Sequence, residues 1–371
     1  MLSRGLGPLA ALQVFLTVFA VTALAENSLV DHLQAVLDEY HAANPSAPGV
    51  VVRVVSPSRG LEWTAAVGLA QRDTSDPLTA ENTFRIASNT KTYVAAAILR
   101  LAESGRLSLD HPLADHLAPD HRRLLEADGY DLEAMTIRQV LAHTSGLFEH
   151  PADPRYEEAI LTDPHHRWTR LEQITRCVEW GDAVGAPGEK FSYSDTGYII
   201  LGAIIENKTG RTLGAAVRDL LDFEELGLNA TWWEIFEDKP EGAGPRAHQY
   251  YGEEDSFDWD PSLDLYGGGG LVCDVRDLGR FMRLLLQGQI LHRESSLADM
   301  LGCGTMDYRL GISCTDFGDH LAWGHTGFWN TFAFHVPTLD LTVSGCILDH
   351  FATKGQVLAQ QLVDVVAADY P

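Results

Sequence analysis

Ser88 and Lys91 stand three residues apart, a spacing that puts a hydroxyl and an amine on one helical face, about one turn from each other. A serine becomes a nucleophile only if something takes its proton, and an adjacent lysine is the smallest device that can assist without histidine. The chemistry of such a pair is acyl transfer through a covalent intermediate. If the stretch opens a helix, the backbone N–H of Ser88 is free to donate to a developing oxyanion, and the helix dipole favours negative charge there. Burial and the positive helix end would both depress the Lys91 pKa, so a neutral amine assisting removal of the Ser88 proton is the expectation. Chance competes with this reading: five Lys and eighteen Ser in 371 residues give S-x-x-K in about one such chain in four. A serine cap followed by a surface lysine is the plain alternative.

Periodicity supplies the elements that would hold the pair. Asn27 to Ala43 places Leu29, Leu33, Val36, Leu37 and Tyr40 on one helical stripe, with Ser28 and Asp31 at capping-box spacing. Gly49 to Val55 and Gly60 to Leu69 read as strands split by the turn signal Ser56-Pro57-Ser58-Arg59-Gly60. A helix follows from about Ser88 to Ser104, buried along Val94, Ile98, Leu101 and Ala102 and stopped by Gly105. From Asp110 to about Leu263 the chain turns to short helices and polar loops. Past Gly267 an amphipathic helix, Val275 to Leu286, precedes strand signals at Leu321 to His325, Thr331 to Val336 and Leu339 to Leu348. A last helical stripe spans Gln356 to Ala367. The expected fold class is α/β (α+β): one domain over 26–371, with one antiparallel sheet built from about 26–110 and 264–371, flanked by terminal helices and interrupted by a mostly helical lobe over about 111–263.

Composition narrows the function classes. Asp and Glu outnumber Lys and Arg by 52 to 27, with no basic run to follow a phosphate backbone, so nucleic acid and anionic membranes are poor partners. Arg4, an apolar run from Leu9 to Ala20 and Ala23-Leu24-Ala25 have the parts of a signal peptide over 1–25, which predicts a periplasmic or secreted protein beginning at Glu26; an uncleaved anchor is the alternative. No later segment is apolar and long enough to span a bilayer. Of five cysteines, Cys303 and Cys314 could pair across a hairpin, or all five could be small buried apolar residues. There is no H-x-H-x-D or H-E-x-x-H, and His111, His116 and His121 share no helix face, so neither a metal nor another cofactor is expected.

Further elements then accumulate in order. Pro187-Gly188-Glu189-Lys190-Phe191-Ser192-Tyr193-Ser194-Asp195-Thr196-Gly197-Tyr198 resembles the P-G-x-x-F-x-Y-S-N-x-G-Y element of the serine β-lactamase and penicillin-recognising D-alanyl-D-alanine peptidase family, in its class C-like branch. Phe84-Arg85-Ile86-Ala87-Ser88, Leu141-Ala142-His143-Thr144-Ser145-Gly146-Leu147, Gly268-Gly269-Gly270-Leu271-Val272 and Gly324-His325-Thr326-Gly327 complete that family's order over nearly the whole mature chain. The resemblance implies that Tyr193 shuttles a proton between nucleophile and leaving group, with Lys91 as the cation that lets a phenol act near neutrality. In an alternative register Ser194 is the shuttle. The resemblance also implies that the strand carrying His325, Thr326 and Gly327 lines the site opposite Ser88, and that the Phe328 N–H is the second oxyanion donor. Lys208-Thr209-Gly210 mimics the third motif but reads as a helix stop.

Two departures shape the substrate expectation. Asp195 replaces the usual Asn, cannot donate an N–H when ionised, and could pair with Lys91 and hold it protonated. His325 replaces Lys, as in the family's peptidases, aminopeptidases, amidases and esterases, and its help to a substrate carboxylate should fall as pH rises through its pKa. The sequence therefore points to an exported serine hydrolase, with a D-amino-acid peptide or amide as first substrate, a small ester second and a β-lactam third. A catalytically silent relative that binds cell-wall peptides is the non-enzyme alternative. Thr231-Trp232-Trp233, Tyr250-Tyr251 and Trp259 read as packing of a long loop, with a roof over the cleft as the alternative.

Overall fold

Strands from both ends of the chain pair into one six-stranded antiparallel sheet in a computed structural model that describes residues 29–302 and 307–369. The strand order is Leu61–Gly68, Gly49–Ser56, Leu341–Ile347, Thr331–Val336, His320–Gly327, Ser313–Phe317. The leader over 1–25, Ser28 of the capping box and Cys303 of the cysteine pair lie outside the described residues, while Cys177, Cys273 and Cys346 are buried free thiols.

Both faces of the sheet are covered, which is why its central strands are apolar on both sides. Val50, Val52 and Val54 pack with Leu33, Leu37, Leu358 and Leu362 of the two terminal helices, 29–43 and Gly355–Asp369. Val51 and Cys346 face the other way, into the core with Val275, Leu278 and Phe281 of the Val275–Leu286 helix. The polar members of the Leu341–Ile347 alternation are buried too: Ser344 donates to the Val275 carbonyl at 2.9 Å, and the Thr342 hydroxyl meets His335 Nδ1 at 2.8 Å. Local hydrogen bonds satisfy what the alternation alone would leave to solvent.

Between the two halves of the sheet runs a series of helices, among them Ile137–Leu141, Arg170–Trp180, Asp195–Thr209 and Leu213–Leu220. The Thr90–Glu103 helix is buried almost all round, because it sits between this helical part and the sheet. Gly210 closes the Asp195–Thr209 helix in the left-handed conformation at φ 70°, so Lys208-Thr209-Gly210 is a helix end and stands apart from the late strand of the site. The central antiparallel sheet is the expected one, and small pairings are added to it. Among the described residues Thr83–Arg85, Leu271–Asp274 and Trp232–Trp233 make a three-stranded sheet, and Tyr250–Tyr251 pairs with Glu254–Asp255. Thr83–Arg85 leads directly into the segment of the nucleophile, where the Ile86 N–H donates to the Leu271 carbonyl at 3.0 Å, so the three-stranded sheet anchors the approach to Ser88.

Candidate active site

Ser88 sits in a single 3₁₀ turn, Ala87–Asn89, that runs directly into the Thr90–Glu103 helix. Ala87 has φ 46°, an uncommon conformation for a residue with a side chain, sustained by what surrounds the turn. Asn89 Nδ2 donates to Ile86 O at 3.1 Å and to Thr331 Oγ1 at 3.0 Å, while Thr331 Oγ1 donates to Ile86 O at 2.9 Å. The nucleophile turn is thus bolted to a central sheet strand. Gly327 lies against the same turn, where a Cβ would come within 2.4 Å of the Ile86 carbonyl.

Lys91 is completely buried and its ammonium reaches three acceptors: Ser88 Oγ at 2.8 Å, the Gly268 carbonyl at 2.7 Å and Asp195 Oδ1 at 2.5 Å. Burial pulls its pKa down, but the neighbouring carboxylates, Asp195 foremost, outweigh it and carry the pKa above the ordinary lysine value. The expected neutral amine is therefore overturned, and the suspected Asp195 contact is the reason. With Asp195 as its counter-ion the group stays an ammonium, which has no lone pair to offer. The Lys91 ammonium lies 4.9 Å from the Tyr193 ring centroid; burial raises the Tyr193 phenol above the usual value, and Lys91 only partly offsets that. In the resting state Tyr193 is a neutral phenol beside a charged lysine. Ser194, the alternative shuttle, caps the Asp195–Thr209 helix, accepting from Gly197 N–H and donating to Phe148 O at 3.2 Å.

Two further carboxyl groups close on Lys91, and neither is apparent from motif spacing. The Asp195 N–H donates to Glu149, whose pKa is raised by burial and by Asp195. Asp264, three residues before the glycine run, is pushed up to about 7 by burial first and by Asp195, with Lys91 opposing. Its carboxyl makes no hydrogen bond or ion pair among the described residues. The bare backbone of Gly268 and Gly269 makes room for the acids: a Cβ on Gly269 would lie 2.0 Å from Asp264 Oδ2, and one on Gly268 would lie 3.3 Å from Asp195 Cγ. Proximity to that run is the signal that could have singled Asp264 out.

His325 stands at the expected place but is differently employed. Its Nδ1 meets the Thr326 carbonyl at 2.6 Å, which only accepts, so Nδ1 carries the proton and Nε2 accepts from Tyr308 at 3.0 Å. Burial and Lys91 lower its pKa to about 4. A neutral ring with both nitrogens engaged has no donor for a substrate carboxylate, which corrects the expected binding role and its pH dependence. Thr326, Gly327 and Phe328 line the cleft with Ser88, and Phe328 is 46% exposed.

The cleft has two arms that meet at Ser88, Asp195 and Phe328. One, of about 150 Å³, is walled by Tyr156, Ile160, Leu161, Tyr251, Trp259 and Trp329, with Asp264 and Glu157 at its surface. Trp259 and Tyr251 are thus cleft walls, whereas Trp232 and Trp233 are buried in the small sheet, so the loop-packing expectation holds for only part of the aromatic set. The other arm, of about 470 Å³, holds Tyr193, Glu149, Thr326 and the exposed Lys354. Lys354 Nζ donates to the His350 carbonyl at 3.1 Å.

Comparison with known proteins adds to this geometry. The family model described as Beta-lactamase matches residues 28–345. Esterase EstB of Burkholderia gladioli is 35% identical over 205 residues, 54% of this chain and 50% of that protein. Protein flp of Staphylococcus aureus (strain MW2) is 36% identical over 136 residues, 37% of this chain. The matched stretch spans only a quarter to a half of these curated relatives, 25% of flp and 50% of EstB. Among solved structures, a D-stereospecific amidohydrolase from Streptomyces sp. has a TM-score of 0.76 and 25% identity, covering 92% of this chain and 98% of that one. D-amino acid amidase from Ochrobactrum anthropi SV3, in complex with L-phenylalanine amide, has a TM-score of 0.79 at 23% identity, covering 93% and 100%.

Proposed function

The chain belongs to the beta-lactamase family, and from that premise we propose that it is a serine hydrolase cleaving amides or short peptides of D-amino acids with a free amino group. Ser88 is the nucleophile. Because Lys91 is already an ammonium, Tyr193 works as a relay: its oxygen takes the Ser88 proton while its own proton passes to the leaving nitrogen, so no free phenolate is required. Lys91 stabilises the charge that develops between them, and the N–H groups of Ser88 and Phe328 hold the oxyanion. Water, activated by the same tyrosine, releases the acyl group.

Tyr193 lines the larger arm, so that arm takes the leaving group and the aromatic arm takes the acyl side chain. The observation that carries the substrate class is the unpartnered Asp264 carboxyl in the aromatic arm. A carboxyl in an apolar pocket calls for a cation, and an acyl donor with an aromatic side chain and an α-ammonium supplies both parts. The D configuration is supported by the likeness to the D-stereospecific amidohydrolase from Streptomyces sp.. Peptide leaving groups form the second reading, favoured by Lys354 in the leaving-group arm. Export through the 1–25 leader belongs to the same proposal.

The test is a panel of D- and L-phenylalanine amide, D-phenylalanyl peptides, short-chain esters and a cephalosporin, run on the wild type and Ser88→Ala. The D-amide should lead, and Ser88→Ala should lose both turnover and fluorophosphonate labelling. Equal labelling of Ser88→Ala would remove the nucleophile assignment, and ligand binding without turnover on any donor would favour the silent relative.

A further inference from the structure

The Leu141–Leu147 motif has no chemical part in the relay described above, yet its histidine stacks on the relay residue and hydrogen-bonds the chain on both sides of it. His143 follows the short Ile137–Leu141 helix and adopts φ 55°, a conformation that few residues with side chains enter. In that conformation its carbonyl accepts the Ser192 N–H at 2.7 Å, and its Nδ1 accepts the Ser194 N–H at 3.0 Å. Its ring stacks on Tyr193, with centroids 4.1 Å apart and planes at 30°. One residue thus grips the chain immediately before and immediately after Tyr193 and presses on the ring between.

The hydrogen bonds also determine the proton. A backbone N–H only donates, so Nδ1 offers its lone pair and the proton sits on Nε2. Nε2 is buried with no hydrogen-bond partner among the described residues, and the imidazole centroid lies 5.1 and 4.8 Å from the ring centroids of Tyr198 and Tyr308. Burial, followed by the charge of Lys91, keeps the ring neutral, as the Ser194 contact demands. A plain core aromatic would need neither an acceptor at Nδ1 nor a left-handed backbone.

We propose that His143 is a positioning residue for Tyr193, setting the phenol against Ser88 and Lys91 by holding the backbone on both sides of it and stacking on its ring. The inference rests on the reading of Tyr193 as proton relay. The phenol must stay within hydrogen-bond reach of two groups at once, so displacement of a fraction of an ångström weakens the transition state more than substrate binding.

The experiment is a double-mutant cycle between His143 and Tyr193, read as kcat and KM on the leading amide and as the rate of fluorophosphonate labelling of Ser88. His143→Phe keeps a stacked ring but removes the acceptor; it should lower kcat and labelling about 30- to 100-fold, with KM within about threefold. His143→Asn, whose Oδ1 can accept from Ser194, should stay within about tenfold of wild type. In a Tyr193→Phe background, His143→Phe should cost nothing further. If His143→Phe unfolds, Asn against Gln serves, since Gln places its acceptor away from the Nδ1 position and should lose activity where Asn keeps it. Equal losses for Asn and Phe, equal losses for Asn and Gln in the fallback, a KM that rises in step with any fall in kcat, or an undiminished His143→Phe effect on top of Tyr193→Phe would each overturn the proposal. A fully active Tyr193→Phe would sink the relay reading itself and this inference with it.

Discussion

Asp264→Asn isolates the charge assigned to the substrate ammonium. The substitution keeps the shape that the bare Gly269 accommodates, with the carboxyl oxygen 2.0 Å from where a Cβ would stand, so charge changes and packing does not. A hydrogen bond to a charged group contributes about 1.5–3 kcal/mol, which converts to roughly a 10- to 150-fold loss in kcat/KM for a free-amine donor. An N-acetylated donor has no charge there and should change by less than about threefold. Losing one anion facing Lys91 acts on both donors alike and cancels in the ratio. The assay is initial rates on D-phenylalanine p-nitroanilide and its N-acetyl form. With Asp264 raised to about 7, the group is neutral below that pH and anionic above it. The wild-type preference for the free amine should therefore climb between about pH 6 and 8, until the substrate amine itself deprotonates, and should be flat in Asp264→Asn. Parallel losses on both donors, or none on either, would refute the assignment of Asp264 to the ammonium.

Gly269→Ala drives a Cβ into the Asp264 carboxyl, forces it from its place on the cleft wall and should reproduce the loss of free-amine preference; an unchanged donor ratio would separate the glycine from the acid. Lys354→Ala should raise KM about three- to fivefold for a dipeptide with a free carboxylate and leave KM for the simple amide alone, since an exposed ion pair contributes only about 1 kcal/mol. Equal KM shifts would mean Lys354 does not read the leaving group. His325 should show no titration between pH 5.5 and 8 in ring-proton NMR, because burial and Lys91 lower its pKa to about 4; a midpoint near 6.5 would contradict the closed Tyr308 and Thr326 contacts.

Much of the fold is legible because its signals are local. The Val275–Leu286 helix and the Thr331–Val336 strand match their hydrophobic patterns residue for residue, and most other boundaries shift by one or two positions. The small sheets are not legible, since Trp232–Trp233 and Thr83–Arg85 are too short for periodicity and become strands only by pairing with Leu271–Asp274. The same divide runs through the site. Ser88, Lys91, Tyr193 and His325 belong to motifs of fixed spacing, whereas Asp264, Glu149 and Lys354 carry no motif and enter the cleft only when distant segments meet.

The sequence by itself determines the order of elements, the nucleophile and its neighbours, and the family, because these depend on residue types at short, fixed separations. Only the tertiary structure decides which of them carry protons. Lys91 is charged because Asp195 and the Gly268 carbonyl, more than a hundred positions further along the chain, converge on its ammonium. His325 is neutral because Tyr308 and its own strand close both ring nitrogens in a buried place. Charge state depends on burial and on what lies within a few ångströms, and neither quantity is written in the spacing of a motif.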